Sequence, residues 1–370
     1  MGEPGEGKRR ESSRALGALY GLAIGDALGM PTESLPRAEI VARYGRLVSD
    51  FQPGAADHPL AAALPAGTVT DDTEQAVLVG RLMAEGGGDI DPATLVRRLL
   101  AWEDAMRARG SLGLLGPSTK RALAAMAAGA HIEEAGRHGT TNGAAMRIAP
   151  VGIATPAADA GLLEDRVVAA SLATHNTGVA LAGAAAVAAA VSAGIGGASV
   201  PDAIAAAVRA AARAASRGNW VAAADVAARI TWATGLVAGL GQDQVMETVY
   251  RLVGTSLATQ ESVPAAFAIA AACQDDPWLA CRMAASLGGD CDTIAAMAGA
   301  VCGACHGVAA FPDSARATVA RVNDLGLDEL ASELLAVRAR RAAGQPGRTP
   351  SARAGLADSH EDGPSDCGAG

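Results

Sequence analysis

The sequence predicts an all-α protein built around one large domain, and three observations predict it. Half of its 370 residues are hydrophobic, yet aromatics make up only 3% and glycine alone accounts for 45 positions, so the core must consist of small side chains on closely approaching backbones. Helices suit that composition better than strands, which favour β-branched and aromatic residues. Apolar segments recur from Ala15 to Val337 without a convincing linker, which favours one body over the two or three that length alone would allow. Capping residues and terminating glycines or prolines bracket roughly ten helical stretches, the pattern of a compact, orthogonally packed multi-helix domain.

The first helix is expected to open at Ser12 or Ser13, whose hydroxyls can cap free amides, and to carry Leu16, Leu19, Ala23 and Leu28 on one side until Pro31 ends it. Asp26 then lies near the end of a buried helix, and residues 1–12 form a disordered tail. Residues 37–65 hold turn formers and no sustained period, so they read as a surface loop with a short helical piece. Residues 70–85 begin with hydroxyls and carboxylates and stop at Gly86, Gly87 and Gly88, the expected start and stop of a helix. Further helices fit residues 91–109, 116–128, 202–215, 220–238, 243–257, 262–273, 277–287, 293–308 and 328–341. Between Val167 and Pro201 only His175 can carry a charge, but alanine and glycine contribute little transfer energy, so a buried central helix is expected there and not a membrane span. The domain therefore covers 13–341. Residues 342–370, rich in turn formers and poor in large apolar side chains, cannot offset the entropy of ordering and read as a disordered tail.

A net charge of -9, with no basic cluster interleaved with aromatics, lacks the electrostatic footprint of nucleic-acid binding. The first residues have no apolar run of the signal-peptide kind, and Glu6 stands where a myristoylation site needs a hydroxyl, so a cytoplasmic protein is expected. Five of the six cysteines, from Cys273 to Cys305, then read as reduced and buried. Cys302, Cys305 and His306 have the spacing of a c-type haem attachment site, but bulky haem conflicts with their tight small-residue helix.

Two short acidic motifs carry the chemistry. Thr70, Asp71, Asp72 and Thr73 open one helix; Asp290, Asp292 and Thr293 open another, after Gly288 and Gly289. Hydroxyls and carboxylates are the oxygen donors that hard divalent cations take, so two such helix starts could converge on a pair of ions. Either motif alone is as well explained by helix capping and the helix dipole. Together they favour metal, because Ala295, Gly299, Gly303 and Gly307 form a small-residue stripe that draws the second helix into the domain centre, where an acidic cluster is costly without cations.

Gly21, Gly25, Asp26, Gly29 and Glu33, then Thr70 to Thr73, Asn142 to Pro150, Thr174-His175 and Gly288 to Thr293, occur in the order and approximate spacing of the ADP-ribosylglycohydrolases, which this sequence resembles over nearly all of residues 13–308. The resemblance implies two Mg²⁺ or Mn²⁺ ions bound by Thr70, Asp71, Asp72, Asp290, Asp292 and Thr293, orienting the hydroxyls of the ribose whose glycosidic bond breaks. Glu33 and Asp292 are then the catalytic candidates, with one carboxylate activating the attacking water. Thr141, Asn142 and Gly143 match a loop that cradles the diphosphate through backbone amides, and His175 and Gly289 match ligand contacts. The expected partner is an ADP-ribosylated protein or small molecule, with no membrane involved.

The family usually stacks adenine on an aromatic ring, and none falls between Gly139 and Pro150, so either a ring arrives from elsewhere or aliphatic side chains hold the base. Arg147 reads as a structural ion-pair partner, and Asp26 either as its mate or as a group that supports the metal ligands from behind. Two rival functions remain at this level: a non-catalytic relative of the same fold, and a two-metal phosphoesterase.

Overall fold

The chain is described for residues 4–110 and 115–343 in a computed structural model, where eighteen α-helices run in sequence. The first six are α1 (Pro4–Gly29), α2 (Arg37–Tyr44), α3 (Asp71–Glu85), α4 (Pro92–Ala108), α5 (Pro117–Ala127) and α6 (Ile132–Ala135). They are followed by α7 (Gly143–Met146), α8 (Ala149–Ala154), α9 (Ala160–His175), α10 (Gly178–Ile195), α11 (Val200–Ala214) and α12 (Val226–Val237). The last six are α13 (Gln242–Thr248), α14 (Thr259–Ala272), α15 (Pro277–Ala285), α16 (Cys291–His306), α17 (Asp313–Val322) and α18 (Leu327–Ala342). Among the described residues no strand forms, and two isolated bridges join Thr141 to Ala258 and Thr177 to Asn219.

Small residues decide how the centre packs. A Cβ on Gly17, Gly21 or Gly25 of α1 would fall 2.3, 2.1 and 2.1 Å from the carbonyl oxygens of Gly303, Gly299 and Ala295 on α16. Only bare backbone permits that approach, and α1 against α16 is the most extensive helix pairing among the described residues. The stripe expected on α16 therefore meets a matching stripe on α1 that runs at the same four-residue spacing. Its last member, Gly29, abuts the Asp292 backbone, where a Cβ would stand 2.2 Å from Cα. Close-packed apolar helices thus carry an acidic helix start into the interior.

Helix α10 has the length and hydropathy to cross a membrane, but 94% of it is buried among other helices, as the central core helix expected from its alanine content. Residues 167–201 are not one helix, however. His175 ends α9, and Thr177 accepts the Ala180 amide at 3.3 Å to cap α10. The break puts a histidine at a helix end beside the cleft.

Other expectations need correction. Residues 4–12, read as a disordered tail, continue α1 toward the N-terminus, and Glu11 pairs with Arg338 of α18 at 3.2 Å. The helix expected from Trp220 starts at Val226, because Asp225 accepts the Ala228 amide at 2.7 Å and Trp220 remains 86% exposed. The helix expected over 243–257 stops at Thr248, passes through a π turn at Val249–Val253, and ends at Gly254 with φ of 90°. Of the expected C-terminal tail, Ala342 closes α18 and residues 344–370 lie outside the described part. The five cysteines from Cys273 to Cys305 are free and buried.

Candidate active site

The start of α3 is assembled around Asp26. Its carboxylate accepts the Thr70 amide at 3.0 Å and the Thr73 amide at 3.1 Å, and it also accepts the Thr73 hydroxyl. Thr70 is the N-cap residue, its hydroxyl facing the Asp72 amide and carboxylate at 3.4 Å each. Asp71, partly open to the cleft, accepts the Gln75 side-chain amide at 2.9 Å, one turn along. Asp26 therefore pairs with α3 and not with Arg147, whose guanidinium bonds Gln75 and Thr174 instead.

The start of α16 is fixed by backbone. Gly289 donates to the Leu35 carbonyl at 3.0 Å and accepts from Ser34 at 2.7 Å, while the Asp290 amide donates to the Thr255 carbonyl at 2.8 Å. Gly288 and Gly289 adopt φ of 92° and 74°, which favours glycine. Both polar groups of Gly289 are engaged with these neighbours, and Gly289 is not among the residues that line the cleft. Glu33, on the segment that Gly289 anchors, does line the cleft.

These two helix starts and the turn before α7 face one cleft of about 280 Å³. Asn142 joins them, donating to Asp290 and to the Ser262 hydroxyl, the latter at 3.0 Å. Thr70, Asp71, Asp72, Asp290, Asp292 and Thr293 all reach the cleft, as do Thr141, Gly143 and His175. Asp72 Oδ1 and Asp292 Oδ1 are buried without a protein hydrogen-bond partner. Such orphaned oxygens are costly unless something else satisfies them. Among the described residues, no three acidic, imidazole or thiol side chains close tightly enough to cage an ion unaided.

The carboxyls are strongly perturbed. Burial, then repulsion from Asp26 and Asp290, pushes Asp71 up to about 7. Burial likewise raises Asp290 and Asp26 to about 6, against the lowering effect of their hydrogen bonds. Asp72, Asp292 and Glu33 are raised well above the carboxylate range, first by burial and then by neighbouring carboxylates. Without counter-ions the cleft holds protons at neutral pH. His175 is pushed the other way, far below its ordinary value, by burial and by the positive Arg147.

Long-range packing supplies wall residues that the sequence did not reveal. Trp102 of α4, Met106 and Leu115 form one apolar side, and Leu60 and Leu64 another. Trp102 brings an aromatic ring to the cleft wall, its indole N–H donated to Glu74 of α3. Only Glu74 had a local signal, being one turn beyond Asp71; nothing local marks Trp102 as a cleft residue.

Comparison with known proteins follows the same lines. Residues 7–344 match the ADP-ribosylglycohydrolase family. An uncharacterized Escherichia coli protein, YegU, is 38% identical over 334 residues, covering 90% of this chain and 99% of its own. An ADP-ribosyl-[dinitrogen reductase] glycohydrolase from Rhodospirillum rubrum is 33% identical over 164 residues, 44% of this chain and 51% of that one. A solved ADP-ribosylglycohydrolase-related protein complex superposes with a TM-score of 0.63 at 25% identity, over 89% of this chain and 99% of that one. With the match running across the helices that build the cleft, the chain belongs to the ADP-ribosylglycohydrolase family.

Proposed function

We propose that the chain hydrolyses the glycosidic bond joining ADP-ribose to an acceptor group, with two divalent cations, Mg²⁺ or Mn²⁺, as cofactors. The observation that supports this best is the meeting of two acidic helix starts in one cleft, each leaving a buried carboxylate oxygen, on Asp72 and on Asp292, without a protein donor. Carboxylates and hydroxyls are the donors of choice for such ions, and Mg²⁺ keeps several waters and takes only one or two carboxylates from protein, so a cage of three closed carboxylates is not required. Thr70, Asp71, Asp72, Asp290, Asp292 and Thr293 would hold the cations, which when bound supply Lewis-acid polarisation and orient the vicinal ribose hydroxyls.

The remaining steps belong to the chain's own side chains. Glycoside cleavage passes through an oxocarbenium-like transition state, for which a field of aspartates is the favourable environment. Glu33 and Asp292 both line the cleft, and the charge of Glu33 is felt at Asp292. Of this pair, Asp292, which a bound cation would hold ionised, takes a proton from the attacking water, and Glu33 gives one to the leaving atom. The Gly143 backbone amide, beside the Thr141 hydroxyl, suits a diphosphate oxygen, while the Asn142 amide is spent on the Leu257 carbonyl at 2.9 Å.

The test is to follow free ADP-ribose released from ADP-ribosylated arginine, serine and nucleic-acid conjugates, with Mg²⁺ and with EDTA. Release that needs the cation, and that falls by about 100-fold in Glu33→Gln, is the expected result. Inorganic phosphate as the product would make the chain a phosphoesterase, and ADP-ribose binding without turnover of any conjugate would make it a binding protein.

A further inference from the structure

A continuous line of hydrogen bonds runs beneath the cleft from the acidic lobe to the turn before α7. Asp71 Oδ2 accepts from Gln75 Nε2 at 2.9 Å, and Gln75 Oε1 accepts from Arg147 Nη1 at 3.0 Å. Arg147 Nη2 donates to the Thr174 hydroxyl at 2.7 Å, which lies 2.8 Å from His175 Nδ1. His175 Nε2 then lies 3.0 Å from the Thr141 hydroxyl, on the cleft wall. Arg147 is fully buried, and its partners are an amide, a hydroxyl and, at 3.5 Å, the Ala170 carbonyl, with no carboxylate among them. A buried guanidinium paired in this way is expensive and calls for a reason.

Donor chemistry supplies one. Arginine has no acceptor, so it can only donate, and that fixes Gln75 and Thr174 as acceptors on either side of it. Toward α3, Gln75 must present its carbonyl to Arg147 and its amide to Asp71. Toward the loop, Thr174 accepts from Arg147 and turns its proton to His175 Nδ1 at 2.8 Å, the nearer of its two acceptors, the other being the Ser171 carbonyl at 3.5 Å. The imidazole must then carry its own proton on Nε2 and donate it to the Thr141 oxygen. Thr141 is left with its hydroxyl proton free to point into the cleft, next to Gly143, where a Cβ would stand 2.8 Å from the His175 ring.

We infer that Arg147 is a positioning residue that fixes this relay outward in both directions, so that Thr141 offers a hydroxyl donor to an anionic ligand while Asp71 is held by a donor from behind. His175 acts as a neutral link in the relay, and its part in ligand binding runs through Thr141. The inference rests on the glycohydrolase reading only for the identity of the anion, a phosphate oxygen of ADP-ribose.

Nitrogen-15 NMR of histidine-labelled full-length protein, with no ligand present and His175 assigned by its loss in His175→Gln, tests the relay. A neutral ring with its proton on Nε2 is expected. Arg147→Met and, at the next link, Thr174→Val should both lose that tautomer preference, whereas Arg147→Lys, which can also only donate, should keep it. A ring protonated on Nδ1 in the parent protein, or a tautomer that neither variant changes, overturns the inference. Calorimetric titration with ADP-ribose in Mg²⁺ gives the consequence: affinity falls about tenfold in Arg147→Met and Thr174→Val, the worth of one hydrogen bond to a charged group, and is kept in Arg147→Lys. Equal losses in all three variants would also overturn it. The NMR readout uses no nucleotide, so failure of the glycohydrolase reading leaves it standing, and an overturned relay does not touch ADP-ribose release by the parent protein.

Discussion

The starts of α3 and α16 each bring aspartates and a threonine to the same cleft, but α3 is pinned by side chains and α16 by backbone. Asp26 gathers two amides and a hydroxyl of the first α3 turn, and Gln75 steadies Asp71 from one turn further on. Asp290 has one side-chain bond, from Asn142; the chain before it is locked by its carbonyls and amides to Leu35, Ser34 and Thr255, and Asp292 is held by backbone contact with Gly29. A clamp made of one carboxylate can be removed with one substitution and repaired by a conservative one. A backbone seam tolerates no added atom.

The largest effect is therefore expected at the seam. Gly29→Ala drives a methyl into the Asp292 backbone and should lower stability by about 3 kcal/mol, the upper part of the overpacking range. Urea denaturation measures it, and cation affinity should fall with it because Asp292 is displaced. Next comes Asp26→Ala, which strands the buried amides and hydroxyl at the start of α3 and should cost about 2 kcal/mol. Asp26→Asn, keeping an acceptor, should recover part of that. If Asp26→Ala melts like the parent, the clamp contributes nothing and the contrast between the two halves fails.

The third prediction concerns pH. Asp71 and Asp290 have folded-state values raised to about 7 and about 6, so each binds its proton more tightly folded than unfolded. Their contribution to stability is fully present below the ordinary carboxylate range and is lost as pH rises through about 7. In EDTA, the melting temperature of the parent should fall between pH 4 and pH 7 relative to the Asp71→Asn, Asp290→Asn double variant. Mg²⁺ should remove most of that difference by binding only the folded parent. Parallel melting curves across the range would show that the two carboxyls are not strained. The smallest effect is at the α3 cap, where Thr70→Ala in cation-free protein should cost about 1 kcal/mol.

The same contrast explains what the sequence could reveal. The start of α3 was legible because Thr70 caps it locally, and the helix lies within one residue of its expected bounds. The stripe from Ala295 to Gly307 was legible as periodicity, although its partner stripe on α1 was not read with it. Caps hidden inside apolar sequence were not legible: Thr177 breaks what looked like one long helix, and Asp225 delays another past Trp220. Helix α1 outran its expected start because its first turns are stabilised by charge, including a pairing of Glu11 with the distant α18. In the cleft, motif residues were legible while Trp102, Leu60, Leu64 and the Gln75 to Thr174 relay were not, since each depends on contacts between elements far apart in sequence. Gly289 shows the converse: it stood out in the motif, and its backbone groups hold the turn to Ser34 and Leu35.

The most direct test of the central claim is calorimetric titration of ADP-ribose into the protein with Mg²⁺, with EDTA, and with Asp292→Ala in Mg²⁺. The account predicts binding that requires the cation and disappears in the variant. Binding of equal strength in all three conditions would contradict it, because the two acidic helix starts would then have no part in holding the ligand.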